Sequence, residues 1–197
     1  MPRLRGSRQT VVSRQIPLDY KLSQLERKIG RNKPSVENYR KAYVNTATGA
    51  GFYTFQNALT DDFFASTLYD ELVLGDKFVN ERLQINFHAN PNCIKMRICV
   101  YFSKRPGTAF IPALTATGFT TPMDPAAFTV LFDNTYLPST TTSGLCPIVR
   151  IPLKGYMTTI NRSNSTVERG ELFVTVTLET IGATGVTSNT QHFLRNK

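Results

Sequence analysis

Two alternating runs of apolar and polar residues lie side by side in residues 82–103, which read RLQINFHANPNCIKMRICVYFS. The apolar side chains at every second position are Leu83, Ile85, Phe87, Ala89, Ile94, Met96, Ile98, Val100 and Phe102. Because successive side chains of a strand point to opposite faces, this period of two predicts two β-strands with one face in the core. Lys95 and Arg97 fall on the polar face of the second strand.

The same period of two recurs in both directions from this segment. It predicts further strands at residues 39–45, 51–57, 128–133, 148–160, 171–179 and 191–195. Pro152 and Gly155 interrupt the strand at 148–160, which indicates an edge position or a bulge. Residues 60–72 are ambiguous, because Asp61 and Asp62 precede four spaced apolar residues and could start a short helix.

Long connections separate these strands, and residues 104–127 and 134–147 are rich in Pro, Gly and Thr. Loops of this length are usually functional or surface-forming rather than packing elements. About eight short strands joined by such loops predict an all-β fold, either an antiparallel sandwich or a jelly roll.

The first 41 residues carry almost all of the net charge. They hold eleven of the 23 Lys and Arg and three of the 14 acids, so their net charge is 11 − 3 = +8 out of +9. This predicts two parts, a basic N-terminal arm at 1–41 and a nearly neutral β domain at 42–197. The basic residues of the arm are Arg3, Arg5, Arg8, Arg14, Lys21, Arg27, Lys28, Arg31, Lys33, Arg40 and Lys41.

These eleven side chains are the predicted nucleic-acid-binding residues. Arginine binds phosphate oxygens bidentately, and a disordered basic arm gains affinity by releasing counterions, without reading base sequence. A nuclear localisation signal is a compatible interpretation, and a merely solubilising tail is the alternative to both.

The arm itself has two expected conformations. Residues 1–17 lack apolar periodicity and are predicted to be disordered. Leu18, Leu22, Leu25 and Ile29 form one apolar stripe, which predicts a short helix that either forms on binding or rests on the domain.

The domain offers few residues for catalysis. Its two histidines are a hundred residues apart, no nucleophile or phosphate-loop motif occurs, and Cys99 has no evident basic partner. Three cysteines without CxxC spacing predict reduced thiols. We therefore expect no enzyme, no cofactor, no metal and no membrane span.

Several segments resemble the coat proteins of small icosahedral viruses. Residues 72–107 (LVLGDKFVNERLQINFHANPNCIKMRICVYFSKRPG) are similar to a segment of satellite tobacco necrosis virus-like coat proteins, a type shared by circular Rep-encoding single-stranded DNA viruses. FTVLFDNTYLP (128–138), RIPLKGYMTTI (150–160) and GELFVTVTLE (170–179) resemble later strands of the same type.

The resemblance implies a single eight-stranded antiparallel jelly roll of two packed four-stranded sheets, with the long loops at contacts between subunits or on the outer surface. It also implies a non-enzymatic capsid protein that packages a single-stranded genome through its arm. Its partners would be about sixty copies of itself in a closed shell and the genome, with DNA preferred over RNA. Its locations would be the virion and, during assembly, the host nucleus; no host receptor is indicated. Sixty arms would supply about +480, enough to neutralise a few hundred phosphates.

Other interpretations stay open from the sequence. One alternative function is a cellular nucleic-acid-binding β-sandwich protein, such as a ribosome-associated factor, and another is a jelly-roll enzyme or sugar-binding module. Lys95, Arg97, Arg150 and Lys154 lie on predicted polar faces, where they could extend the nucleic-acid surface or, as we favour, form salt bridges within the sheet or at a subunit contact.

Overall fold

The computed structural model describes residues 36–60, 75–138 and 146–196, without the side chain of Lys154. These ranges form β-strands and one 3₁₀ turn, Ala116–Phe119. In chain order the strands are β1 (Glu37–Ala47), β2 (Ala50–Ala58), β3 (Lys77–Ala89), β4 (Cys93–Ser103), β5 (Phe128–Tyr136), β6 (Ile148–Asn161), β7 (Thr166–Arg169), β8 (Glu171–Ile181) and β9 (Thr184–Asn196).

The strand order confirms the predicted jelly roll. One sheet has the order β1-β9-β3-β6-β7 and the other β2-β8-β4-β5, and every pairing is antiparallel. If the short β7 is set aside, the strands pair from the two ends of the chain inward: β1 with β9, β2 with β8, β3 with β6 and β4 with β5. This is a long hairpin rolled into two packed four-stranded sheets, the arrangement of a jelly roll. The additional β7 extends one edge and makes that sheet five-stranded.

The core lies between the two sheets, and β3 and β4 supply much of it. Leu83, Ile85, Phe87 and Ala89 are all buried, as their spacing predicts, while His88 on the opposite face is exposed. β4 ends at Ser103, the last residue of the segment that predicted the two strands. The alternation of the two central strands therefore fixes which sheet faces meet.

The second face of β4, predicted as polar, is also buried. Tyr101 on this face stacks on Phe173 with ring centroids 5.5 Å apart and meets Phe128 edge-on at 5.1 Å. Phe110 lies in the long loop at residues 104–127, and its backbone N–H donates a hydrogen bond to Tyr101 Oη at 2.8 Å. The loop thus covers the outer face of the four-stranded sheet and builds a second apolar cluster there.

Strand β6 carries the predicted irregularity. Its pairing with β3 shifts register between Asn80 and Arg82, and Gly155 at this point adopts φ +90°. Among the described strands, the short β7 follows β6 in the sheet and pairs only with its last residues. The predicted bulge is therefore confirmed.

The predicted boundary between arm and domain, after residue 41, falls inside β1. This strand begins at Glu37, where it pairs with Leu194 of β9. Arg40 and Lys41 of the predicted arm therefore belong to the sheet. The other nine arm residues, the helix expected at residues 18–29 and the helix start at residues 61–72 lie outside the described residues.

Gly170 provides a test of the β7–β8 connection. It adopts φ +71°, and a Cβ added there would lie 2.3 Å from the carbonyl oxygen of Met157. Gly170→Ala is expected to lower the free energy of unfolding by about 2 kcal/mol, since a left-handed conformation and a backbone clash add together.

The matched control for this substitution is Gly155→Ala. Gly155 also has a positive φ but has no heavy atom within 4 Å of the added Cβ. Only the conformational term remains there, about 1 kcal/mol. Urea unfolding of the two variants measures the difference, and equal losses would contradict the predicted clash at Met157.

Candidate nucleic-acid interface

Two of the eleven predicted nucleic-acid-binding residues lie in the described residues, and the sheet separates them. Arg40 is exposed on the outer face of β1, and its Cα pairs with that of Gln191 on β9. Lys41 is half-buried on the opposite face, where its Nζ lies 4.9 Å from the centroid of the Tyr43 ring. Adjacent strand residues point apart, so the structure does not bring Arg40 and Lys41 into one site.

The outer face of the five-stranded sheet carries a group of polar side chains in register. Arg40 of β1 pairs with Gln191 of β9, Gln191 pairs with Gln84 of β3, and Gln84 pairs with Arg150 of β6. The adjacent row places Phe193 of β9 beside Arg82 of β3. We call this surface the arginine face, defined by Arg40, Arg82, Gln84, Arg150, Gln191 and Phe193.

Contacts within the arginine face position its side chains. The Arg82 guanidinium carbon lies 3.8 Å from the centroid of the Phe193 ring, a cation–π stack. Arg150 Nε donates to Gln84 Oε1 at 3.2 Å. Together with Gln191 and Pro152 they line an open cleft of about 320 Å³. The cleft is thus lined by two arginines, two glutamines and apolar side chains.

The charge of the arginine face is positive and uncompensated. Glu81, next to Arg82 in sequence, pairs with Arg195, whose Nη2 lies 2.9 Å from Glu81 Oε1. Within the described ranges, Arg40, Arg82 and Arg150 form no ion pair. For Arg150 the sequence left open an extension of the nucleic-acid surface and favoured a salt bridge within the sheet or a subunit contact; the described residues give it no salt bridge. The sequence analysis missed Arg82, although it also occupies a polar position of an alternating strand.

Arg97 has a different role, and the salt bridge that we favoured for it is confirmed. Its Nε and Nη2 donate to the two carboxylate oxygens of Asp133 at 2.8 and 2.6 Å, and its Nη1 donates to the carbonyl oxygens of Gly118 and Thr121 at 2.8 Å each. Arg97 is 4% exposed. It therefore fastens the loop at residues 104–127 to β4 and β5 and is not a surface cation.

The Arg97–Asp133 pair controls the ionisation of its surroundings. Burial alone would raise the pKa of Asp133, but the hydrogen bonds and charge of Arg97 outweigh it and hold that pKa below its ordinary 3.8. Burial, reinforced by the Asp133 carboxylate, raises the pKa of the Cys99 thiol to about 12. Cys99 is thus a protonated thiol at neutral pH, which does not suit it as a nucleophile.

Lys95 and Lys154 complete the set of cations on predicted polar faces. Lys95 Nζ lies 4.7 Å from the centroid of the Phe119 ring, under the same loop that Arg97 binds. The side chain of Lys154 lies outside the described residues. The polar face of β4 therefore serves the protein's own packing.

Buried polar side chains on the face opposite the arginine face form a hydrogen-bond network that links β9, β3 and β6. His192 Nε2 is 2.8 Å from Asn80 Oδ1, and Asn80 Nδ2 donates to Thr158 Oγ1 at 2.9 Å and to the Tyr156 carbonyl at 3.2 Å. Because the Asn80 amide nitrogen is used as a donor, its oxygen is the acceptor and His192 carries its proton on Nε2. His192 is fully buried, and burial lowers its pKa to about 4.

Metal-binding clusters and membrane-spanning helices are both absent from the described ranges. These ranges hold no group of three or more His, Cys, Asp or Glu side chains placed to bind a metal ion. None of their helices is long and apolar enough to cross a membrane.

Comparisons with known proteins give weak structural likenesses. Neither protein-family models nor curated protein sequences match the chain. Among solved structures it is similar to the decameric BFDV capsid protein, with TM-score 0.46, 9% identity and coverage of 83% of this chain and 99% of that one. It is also similar to the Triatoma virus empty capsid, with TM-score 0.48, 11% identity and coverage of 81% of this chain and 89% of that one. The Yersinia pseudotuberculosis-derived mitogen matches with TM-score 0.38, 7% identity and coverage of 78% of this chain and 86% of that one.

Two of these three structures are viral capsid proteins and the third is a bacterial mitogen. At such identities and TM-scores the likeness adds nothing to what the strand order already defines. The class of protein follows from the chain itself, which is a jelly-roll protein with a strongly basic N-terminal segment.

Proposed function

We propose that this chain is a capsid protein that assembles into a small icosahedral shell and packages a single-stranded genome, with DNA preferred over RNA. The observation that carries the proposal is the division of charge, because residues 1–35 carry 9 − 2 = +7 and the jelly-roll domain at residues 36–197 carries only 14 − 12 = +2. The sequence resemblance to satellite tobacco necrosis virus-like coat proteins supports it. Virion localisation, and passage through the host nucleus during assembly, belong to the same proposal.

The position of β1 refines the proposed arm. Since Glu37 already pairs with Leu194, we place the arm at residues 1–35 and the shell domain at residues 36–197. The arm then keeps nine basic and two acidic side chains. These nine are Arg3, Arg5, Arg8, Arg14, Lys21, Arg27, Lys28, Arg31 and Lys33.

Neutralising the arm tests its role in binding the genome. With all nine basic residues of the arm changed to Gln, affinity for a single-stranded oligonucleotide is expected to fall about 100-fold or more at low salt, because counterion release is lost. A second variant with residues 1–35 shuffled at constant composition should bind like the wild type, because backbone binding does not depend on arm sequence. Full affinity in the Gln variant would contradict the assignment of the arm.

Assembly is tested on the purified full-length chain. Electron microscopy and sedimentation are expected to show closed particles, and typing of their contents with DNase and RNase identifies the nucleic acid. A species that stays monomeric or dimeric across salt and pH would overturn the capsid proposal. A discrete low-copy complex with RNA would favour the alternative, a cellular nucleic-acid-binding protein.

A further inference from the structure

We propose that the arginine face is a second nucleic-acid site, in which Arg82 stacked on Phe193 receives a base while Arg40 and Arg150 bind the flanking phosphates. The inference rests on the proposed function, because it adds a folded binding surface to the basic arm. Its ligand is a short single-stranded segment a few nucleotides long.

Charge is the first reason for this assignment. Arg40, Arg82 and Arg150 lie on one sheet face without a carboxylate partner in the described part of the chain, while Arg97, Arg162 and Arg195 each have one. Uncompensated arginines on a concave surface attract a polyanion. The chain's own arm does not fit here, since residues 1–35 carry nine basic and two acidic side chains.

Geometry is the second reason. Arg40 and Arg150 end a row across four strands, so three strand spacings, or about 14 Å, separate their backbones. That span covers more than one nucleotide of an extended strand. Gln84 and Gln191 lie between them, and amide side chains can both donate to and accept from base edges.

The stacked pair is the third reason, and it distinguishes a nucleic acid from an acidic peptide. The Arg82 guanidinium lies over the Phe193 ring, with its carbon 3.8 Å from the ring centroid, on a cleft that also contains Gln84 and Gln191. Bases of single strands stack on aromatic rings and on arginine planes. An acidic peptide would use the positive charge but not the stack.

Photocrosslinking with the full-length chain tests the inference independently of the arm. A bromouracil-containing single-stranded DNA is irradiated with the protein, and mass spectrometry locates the adducts after digestion. Adducts are expected in the β9 segment that contains Phe193 as well as in residues 1–35. Adducts confined to residues 1–35 would overturn the second site and leave the proposed function standing, whereas the absence of all binding would overturn both.

Matched variants separate this site from general charge. In the double variant Arg82→Gln/Arg150→Gln, the yield of adducts in the β9 segment is expected to fall about tenfold. The control Arg105→Gln/Arg162→Gln removes the same charge from exposed positions elsewhere and should keep the wild-type yield. Equal yields in both variants, or equal competition by poly-glutamate and by unlabelled DNA, would contradict a base-stacking site.

Discussion

Replacing Asp133 with alanine is expected to lower the free energy of unfolding by about 2–3 kcal/mol, less than for a fully buried ion pair because the Asp133 side chain is 33% exposed. The reason is Arg97, which is 4% exposed and loses both charge-assisted hydrogen bonds at once. A buried guanidinium without its carboxylate retains its desolvation cost without the compensating attraction. The carbonyl bonds to Gly118 and Thr121 cannot replace a negative charge.

The measurement is chemical denaturation of three variants. Asp133→Asn keeps one oxygen acceptor and should lose less than Asp133→Ala, which keeps the series informative if the alanine variant is too unstable to purify. The control is Asp76→Ala, because Asp76 is 70% exposed and lies 3.9 Å from Arg162, so its loss should stay below about 0.5 kcal/mol. A similar small loss for Asp133→Ala would show that the buried pair contributes little.

The same substitution should loosen the loop at residues 104–127. Arg97 holds the carbonyls of Gly118 and Thr121 through Nη1. With its orientation no longer fixed by Asp133, we expect faster amide hydrogen exchange at residues 116–121, where the 3₁₀ turn lies. An unchanged exchange rate at residues 116–121 would show that the ion pair does not anchor the loop.

The second large effect concerns His192 and acid. Burial lowers its pKa to about 4, against 6.5 in the unfolded chain. Between these values the unfolded state binds the proton and the folded state does not, so stability falls as the pH falls. The stabilising contribution is complete above about pH 6.5 and is lost progressively down to about pH 4, a change of about 3 kcal/mol.

The variant His192→Gln tests this dependence. Glutamine can donate to Asn80 as His192 Nε2 does, so the loss at pH 7 should be only about 1 kcal/mol, while the His192 share of the acid sensitivity disappears. His88→Gln, at the exposed histidine of β3, is the control and should keep the wild-type slope between pH 6.5 and 4. If His192→Gln keeps that slope as well, the buried histidine is not its source.

The sequence predicted the parts of the fold in which apolar residues mark every second position. β3, β4 and β8 follow that pattern, and their inward residues form the core. β9 follows the same geometry, but Ser188, Thr190 and His192 point inward, so its pattern was visible only near the C-terminus. β7 has four residues in a polar segment, too short for a periodic signal.

The candidate site was harder to predict, because it depends on pairing between distant strands. Arg40, Gln84, Arg150 and Gln191 become neighbours only through the register of β1, β9, β3 and β6. Arg97 and Arg150 look alike in sequence, since both occupy polar strand positions. A loop folds over the first and leaves the second exposed, and no local pattern distinguishes these outcomes.

The pairing of the first strand with the last has a consequence for synthesis of the chain. Among the described strands, β1 pairs with β9 alone, with Glu37 opposite Leu194. During translation β1 and the basic residues before it leave the ribosome long before their partner strand exists. Such high contact order implies slow, post-translational completion of the domain. The positively charged segment is therefore available to polyanions in the cell before the sheet that follows it has closed.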